Sequence, residues 1–167
     1  MLRGHLPSAD LLQEYPGLDQ LFSPFVAAIR KGDLRNYDAA LERWEGKLSD
    51  LNLWFTLERA RELCMRSLFR RACVSLARPL SIPCLKLAHR WIATERPSRM
   101  PIGTFHAALA VSGIALEQEE AECFVANMIY KGFMKGYISH EQQLVVLSKN
   151  NAFPRLADRQ NPFAFLA

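Results

Sequence analysis

Over most of the chain apolar residues recur at three- and four-residue steps, and only near Gly136 does the spacing tighten to the two-residue beat of a strand. In DLRNYDAALERWEGKLSD, residues Leu34, Tyr37, Leu41, Trp44 and Leu48 fall on one helical face. Ahead of them, Ser23 and Pro24 are expected to open a short helix that Gly32 closes. Proline at the first position gives up an amide that has no partner there, and glycine accepts the left-handed turn that ends a helix. Asp33 can then cap the next helix. Two short helices joined by a tight turn form an αα-hairpin, the unit of helical-repeat arrays, and one unit cannot bury its own apolar face.

From Leu51 to Ala77 the chain has neither Gly nor Pro, which predicts a long helix or a helix preceded by a bend. Leu57, Ala60, Cys64, Leu68 and Ala72 form its stripe, with Met65, Phe69 and Leu76 beside it and Arg59, Arg66 and Arg70 on a more polar side. Four prolines punctuate residues 79–101, where a short helix over 83–94 and a basic loop, ERPSR, are expected. Ile102, Phe105 and Leu109 then face inward from a helix that ends at Gly113. In LEQEEAECFVANMIYKG, Ala121, Phe124, Val125, Met128 and Ile129 keep helical spacing behind a glutamate-rich first turn that suits the helix dipole, and Gly132 stops the helix. The runs GYIS and QLVVLS, separated by the polar tip HEQ, predict an antiparallel hairpin. Helices followed by such a hairpin make a winged helix, with residues 117–131 in the place of the recognition helix.

With 167 residues, half of them apolar, the chain can bury a sizeable core. No run of 18 uncharged apolar residues occurs, and MLRGHLPSAD lacks the apolar centre of a signal peptide, so a soluble protein of the nucleus or cytosol is expected. Cys64, Cys73, Cys84 and Cys123 form no CxxC pair and are read as reduced thiols. The net charge of +4 is unevenly spread: residues 61–115 hold 9 basic and 2 acidic residues, whereas residues 116–148 hold 2 and 5. A basic middle between acidic segments suits a nucleic-acid surface, although a solvated helix face accounts for most such clusters.

The order of a helical hairpin with IRKGDL, a long helix with LERARELCMRSLFRR and a winged helix with ECFVANMIYKGFMKGYISHEQQLVVLSKNNAFP resembles the PCI domain, found in scaffold subunits of the proteasome lid, the signalosome and a translation-initiation complex. The resemblance points in particular to the fungal signalosome subunit-twelve branch and to the PCI subunits of a nuclear complex that couples transcription to mRNA export. It implies a mainly α fold: the end of a helical-repeat array over residues 1–78, a variable basic insertion over 79–100, a winged helix over 101–149 and a tail over 150–167. Family members carry a longer N-terminal repeat array, so the chain is expected to start at its last units, leaving Leu2, Leu6, Leu11 and Leu12 without the surface they normally cover. The tail is expected to fold back by inserting Phe153.

The resemblance also implies a non-catalytic scaffold, partnered by a second PCI subunit and a small acidic subunit. The residues agree. His5, His89, His106 and His140 are isolated, no HExxH or GxSxG motif occurs, and no cofactor, metal, membrane or small-molecule substrate is expected. Tyr137, Ile138, Leu144 and Val146 on the wing are candidate partner contacts. Lys131, Lys135, Lys149, Arg99 and Arg155, with Arg159, are candidate phosphate contacts for RNA or duplex DNA. Base reading by the recognition-like helix is disfavoured, because its first turn presents Glu117, Glu119 and Glu120.

Overall fold

The computed structural model describes residues 5–77 and 98–156. The expected helix over 83–94, Leu2, Cys84, Arg159, Phe163 and Phe165 lie outside the described residues. The chain divides into two compact units, the first holding the described residues up to Leu68 with Val111–Ile114 and Arg155–Leu156, the second the remainder.

The first unit is helical: α1 (Ala9–Glu14), α2 (Pro16–Lys31), α3 (Leu34–Arg43), α4 (Glu45–Asp50) and the larger part of α5 (Trp54–Ala77). Ser8 caps α1 by accepting from the Leu11 amide at 3.3 Å. Helix α2 begins at Pro16, not at Ser23, and Pro24 lies inside it. Pro16 has the same first-position advantage that Pro24 offered. Leu21, Phe25, Val26, Ala28 and Ile29 stay on one buried stripe only if the helix runs through Pro24, and that burial outweighs one missing amide bond. The predicted second helix is interrupted at Trp44, two residues before Gly46, which weakens a helix. Leu34, Tyr37 and Leu48 are fully buried, and Leu41 and Trp44 are half-buried.

Asp33 caps α3 as expected, accepting from the Asn36 amide at 3.1 Å. Gly32, at φ +70°, turns the chain so close to α5 that an added Cβ would lie 2.6 Å from the Leu68 nitrogen. The Phe25 and Tyr37 rings meet edge to face at 5.2 Å, joining α2 to α3. The Tyr37 hydroxyl donates to the Leu57 carbonyl at 2.6 Å, and the Cys64 thiol donates to the Ala28 carbonyl at 3.3 Å. Arg61 grips Asp38 with two parallel bonds of 2.7 and 2.8 Å. Leu63, buried on α5, was not in the predicted stripe.

The second unit contains the last turns of α5, strand β1 (Arg99–Pro101), helices α6 (Ile102–Val111) and α7 (Gln118–Tyr130), and strands β2 (Gly136–Ser139) and β3 (Leu144–Leu147). Phe69 and Phe105 meet edge to face at 5.1 Å. Ile102, Phe105, Leu109, Ala121, Val125 and Met128 are buried as expected, whereas Phe124 and Ile129 are half-buried. Helix α7 starts on a capping box, in which the Glu117 amide donates to the Glu120 carboxylate at 3.0 Å. It ends on Gly132 with two 2.9 Å bonds, from the Gly132 amide to the Ile129 carbonyl and from the Phe133 amide to Met128, the Schellman arrangement.

The hairpin forms where the two-residue spacing placed it, but it is not alone. Strand β1 adds to it antiparallel, giving the order β1-β3-β2, with β3 in the centre. Its Pro101 is tolerated because β1 is an edge. This small sheet behind the helices completes the winged-helix order.

Candidate functional site

The register of the sheet sorts its side chains into two faces, since directly opposed residues point the same way and successive ones alternate. Met100, Val145 and Ile138 form one row of the inner face, and Leu147 stands opposite Gly136. Met100, Val145 and Leu147 are buried there and Ile138 is half-buried. The outer face carries the row Arg99, Val146, Tyr137 and the row Pro101, Leu144, Ser139.

The four candidate partner contacts therefore divide. Tyr137, Val146 and Leu144 share the outer face, while Ile138 points the other way. Tyr137 is 64% exposed, with Arg99 and Pro101 exposed and Val146 and Leu144 half-buried. The Ser148 amide donates to the Lys135 carbonyl at 2.8 Å, extending the register by one more pair and setting Lys135 on the outer face two residues before Tyr137. Lys149 follows directly at the open end of the hairpin, and Lys131 sits at the end of α7. All three lysines and Arg99 are exposed within the second unit; Arg155, also exposed, belongs to the first. The Lys135 amide in turn donates to the Ala152 carbonyl at 2.8 Å, which ties the start of the tail to the wing. Pro154 is buried there and Phe153 half-buried.

The tip of the wing is fastened to α7. His140 Nδ1 donates to the Glu122 carboxylate at 3.0 Å, and the Gln118 side-chain amide donates to that of Gln143 at 2.9 Å. Gln143, at φ +52°, also donates from its side chain to the His140 carbonyl at 2.9 Å. His106 is held to the Leu116 carbonyl at 2.8 Å, occupying one ring nitrogen locally. Among the described residues no group of His, Cys, Asp or Glu is arranged to hold a metal ion, and no helix is long and apolar enough to cross a membrane. The outer sheet face thus offers an aromatic ring, aliphatic surface and cations, which suit binding.

The winged-helix order and this sheet coincide with a family pattern. The PCI domain model matches residues 55–149, from the start of α5 to just beyond β3. The chain belongs to the PCI domain family. It is 40% identical over 156 residues to the Protein CSN12 homolog of Gibberella zeae, covering 92% of this chain and 33% of that protein. The Protein CSN12 homolog of Neurospora crassa is 41% identical over 150 residues, 89% of this chain and 32% of the relative. The PCI domain-containing protein 2 homolog of Caenorhabditis elegans is 32% identical over 158 residues, 94% of this chain and 33% of the relative. The chain spans about a third of the length of these curated relatives.

Sequence spacing found the hairpin strands of this PCI domain and missed β1. Three residues containing a proline are too short for a two-residue period to register. Arg99 and Tyr137, assigned separately to nucleic acid and to protein, stand in one row because of that strand.

Proposed function

We propose that the chain is a non-catalytic scaffold subunit that pairs through its winged helix with another PCI-domain subunit. Its setting is a nuclear complex acting in transcription-coupled mRNA processing and export, where it also contacts RNA or duplex DNA without sequence preference. The observation that carries the pairing is the outer sheet face, where Leu144, Val146 and Pro101 place aliphatic surface on a sheet whose opposite face already serves the core. The exposed cations Lys135 and Lys149 at the open end of the hairpin, with Lys131 at the end of α7, support phosphate contact. A small acidic subunit fits the positive balance of the whole chain. The name CSN12 homolog carried by the Gibberella and Neurospora relatives supports a second reading, a signalosome-associated assembly subunit without nucleic-acid binding of its own.

Affinity purification from nuclear extract, with mass-spectrometric identification of co-purifying chains, tests the setting. Export-complex subunits are expected; recovery of signalosome subunits alone would favour the second reading. Replacing Lys131, Lys135 and Lys149 with Glu is expected to abolish nucleic-acid retention and leave PCI-partner recovery intact. Loss of both together would overturn this division of surfaces.

A further inference from the structure

The outer sheet face is not uniform along the strands. Towards the tip it carries Pro101, Leu144 and Ser139; towards the open end it carries Arg99, Val146 and Tyr137, then Lys135. The open-end half therefore has one prominently exposed aromatic ring, two exposed cations and no carboxylate in its rows. Lys135 lies about 7 Å from Tyr137 along β2, and Arg99 lies about 10 Å away across the two strand spacings from β2 to β1. Both long side chains can reach phosphates on either side of a base resting on the ring.

We propose that this half of the sheet binds single-stranded nucleic acid, with one base stacked on Tyr137 and the flanking phosphates held by Lys135 and Arg99. The inference rests on the nucleic-acid reading given above and deepens it. A phenol ring standing clear of a sheet beside cations offers a stacking platform that tolerates any base, since every base has a π-face. A duplex is a poorer fit. Seated in helix-turn-helix fashion it would take α7 into its major groove, where the exposed Glu117, Glu119 and Glu120 repel phosphates. Held by the cations alone it keeps its bases paired and gives the ring none to stack on. A single strand needs only the sheet face. The site reads neither base edges nor the 2′-hydroxyl, so oligouridine and oligothymidine should bind alike.

Fluorescence anisotropy with a labelled 12-nucleotide oligouridine, the matching oligothymidine and a 12-base-pair duplex tests this on the full chain, at a temperature where circular dichroism shows each variant folded. Tyr137→Ala is expected to weaken both single strands by about 5- to 150-fold, while Tyr137→Phe retains wild-type affinity. Tyr137→Ala should leave the slope of log affinity against log salt unchanged. Lys135→Gln and Arg99→Gln should each reduce that slope by about 0.7, one phosphate contact apiece. The duplex should bind more weakly than either single strand.

Wild-type affinity in Tyr137→Ala, with binding still weakened in Lys135→Gln, would overturn stacking and leave the phosphate reading standing. Failure of the wild-type chain to bind any of the three probes would remove both. If Tyr137→Ala keeps its oligonucleotide affinity but loses a co-purifying protein subunit, the ring belongs to a protein interface and the proposal falls.

Discussion

Tyr37 donates a buried 2.6 Å bond to the Leu57 carbonyl, and its ring fills the junction with Phe25. Tyr37→Phe keeps the ring contact and removes only the hydrogen bond, so a loss of about 1 kcal/mol is expected. Calorimetry should read this as a fall of about 2–4 °C in Tm. Cys64 shows the other side of burial. Its thiol is pushed up to about 12, first by desolvation and then by the Asp33 and Asp38 charges. In the native chain at pH 8, iodoacetamide should therefore modify the exposed Cys123 and spare Cys64, as peptide mass spectrometry would record. The same shift links stability to pH. The folded thiol keeps a proton that the unfolded one loses above its ordinary value of 9.0, so this contribution is complete below pH 9 and is lost as pH climbs towards 12. Tyr37 is raised in the same direction, mainly by burial, and adds to the loss at the alkaline end. Chemical denaturation across pH 8–11 should show stability falling, with a shallower slope in Cys64→Ala.

At the scale of elements, the sheet depends on one close approach. A Cβ on Gly136 would lie 2.3 Å from the Val146 carbonyl oxygen, which is backbone of the central strand and cannot step aside. Gly136→Ala is expected to cost about 2 kcal/mol or more and to erase the NMR contacts between Tyr137 and Val146. Loss of that register should also remove whatever the outer face binds. Helix ends were legible in advance, because Asp33, Gly32 and Gly132 act through bonds only a few residues long. The start of α2 was not. Taken locally Pro24 marks a helix start, and only the burial of Phe25, Val26, Ala28 and Ile29 together with Leu21 explains why the helix continues back past it. Strand β1 is a stronger case, since Arg99, Met100 and Pro101 become a strand solely by pairing with residues more than 40 positions later.

For the molecule as a whole, the pairing we propose would run through the outer sheet face, whose aliphatic positions Leu144 and Val146 are half-buried. Leu144→Asp points a charge into that face without touching the inner one, so it should sharply reduce recovery of a PCI partner in affinity purification while the melting curve stays close to wild type. The sequence by itself determined the helical hairpin, the long α5, the recognition-like α7 and the two strands of the wing, because apolar periodicity and capping residues act over short stretches of chain. It also supplied the cations and the aromatic ring, and the PCI resemblance followed from the order of these elements. Tertiary structure decided how they combine: that β1 joins the wing, that Ile138 turns inward while Tyr137, Val146 and Arg99 align outward, and that Lys135 falls on the same side. Strand register is a property of pairing between distant segments, and a shift of one residue would exchange every one of these faces.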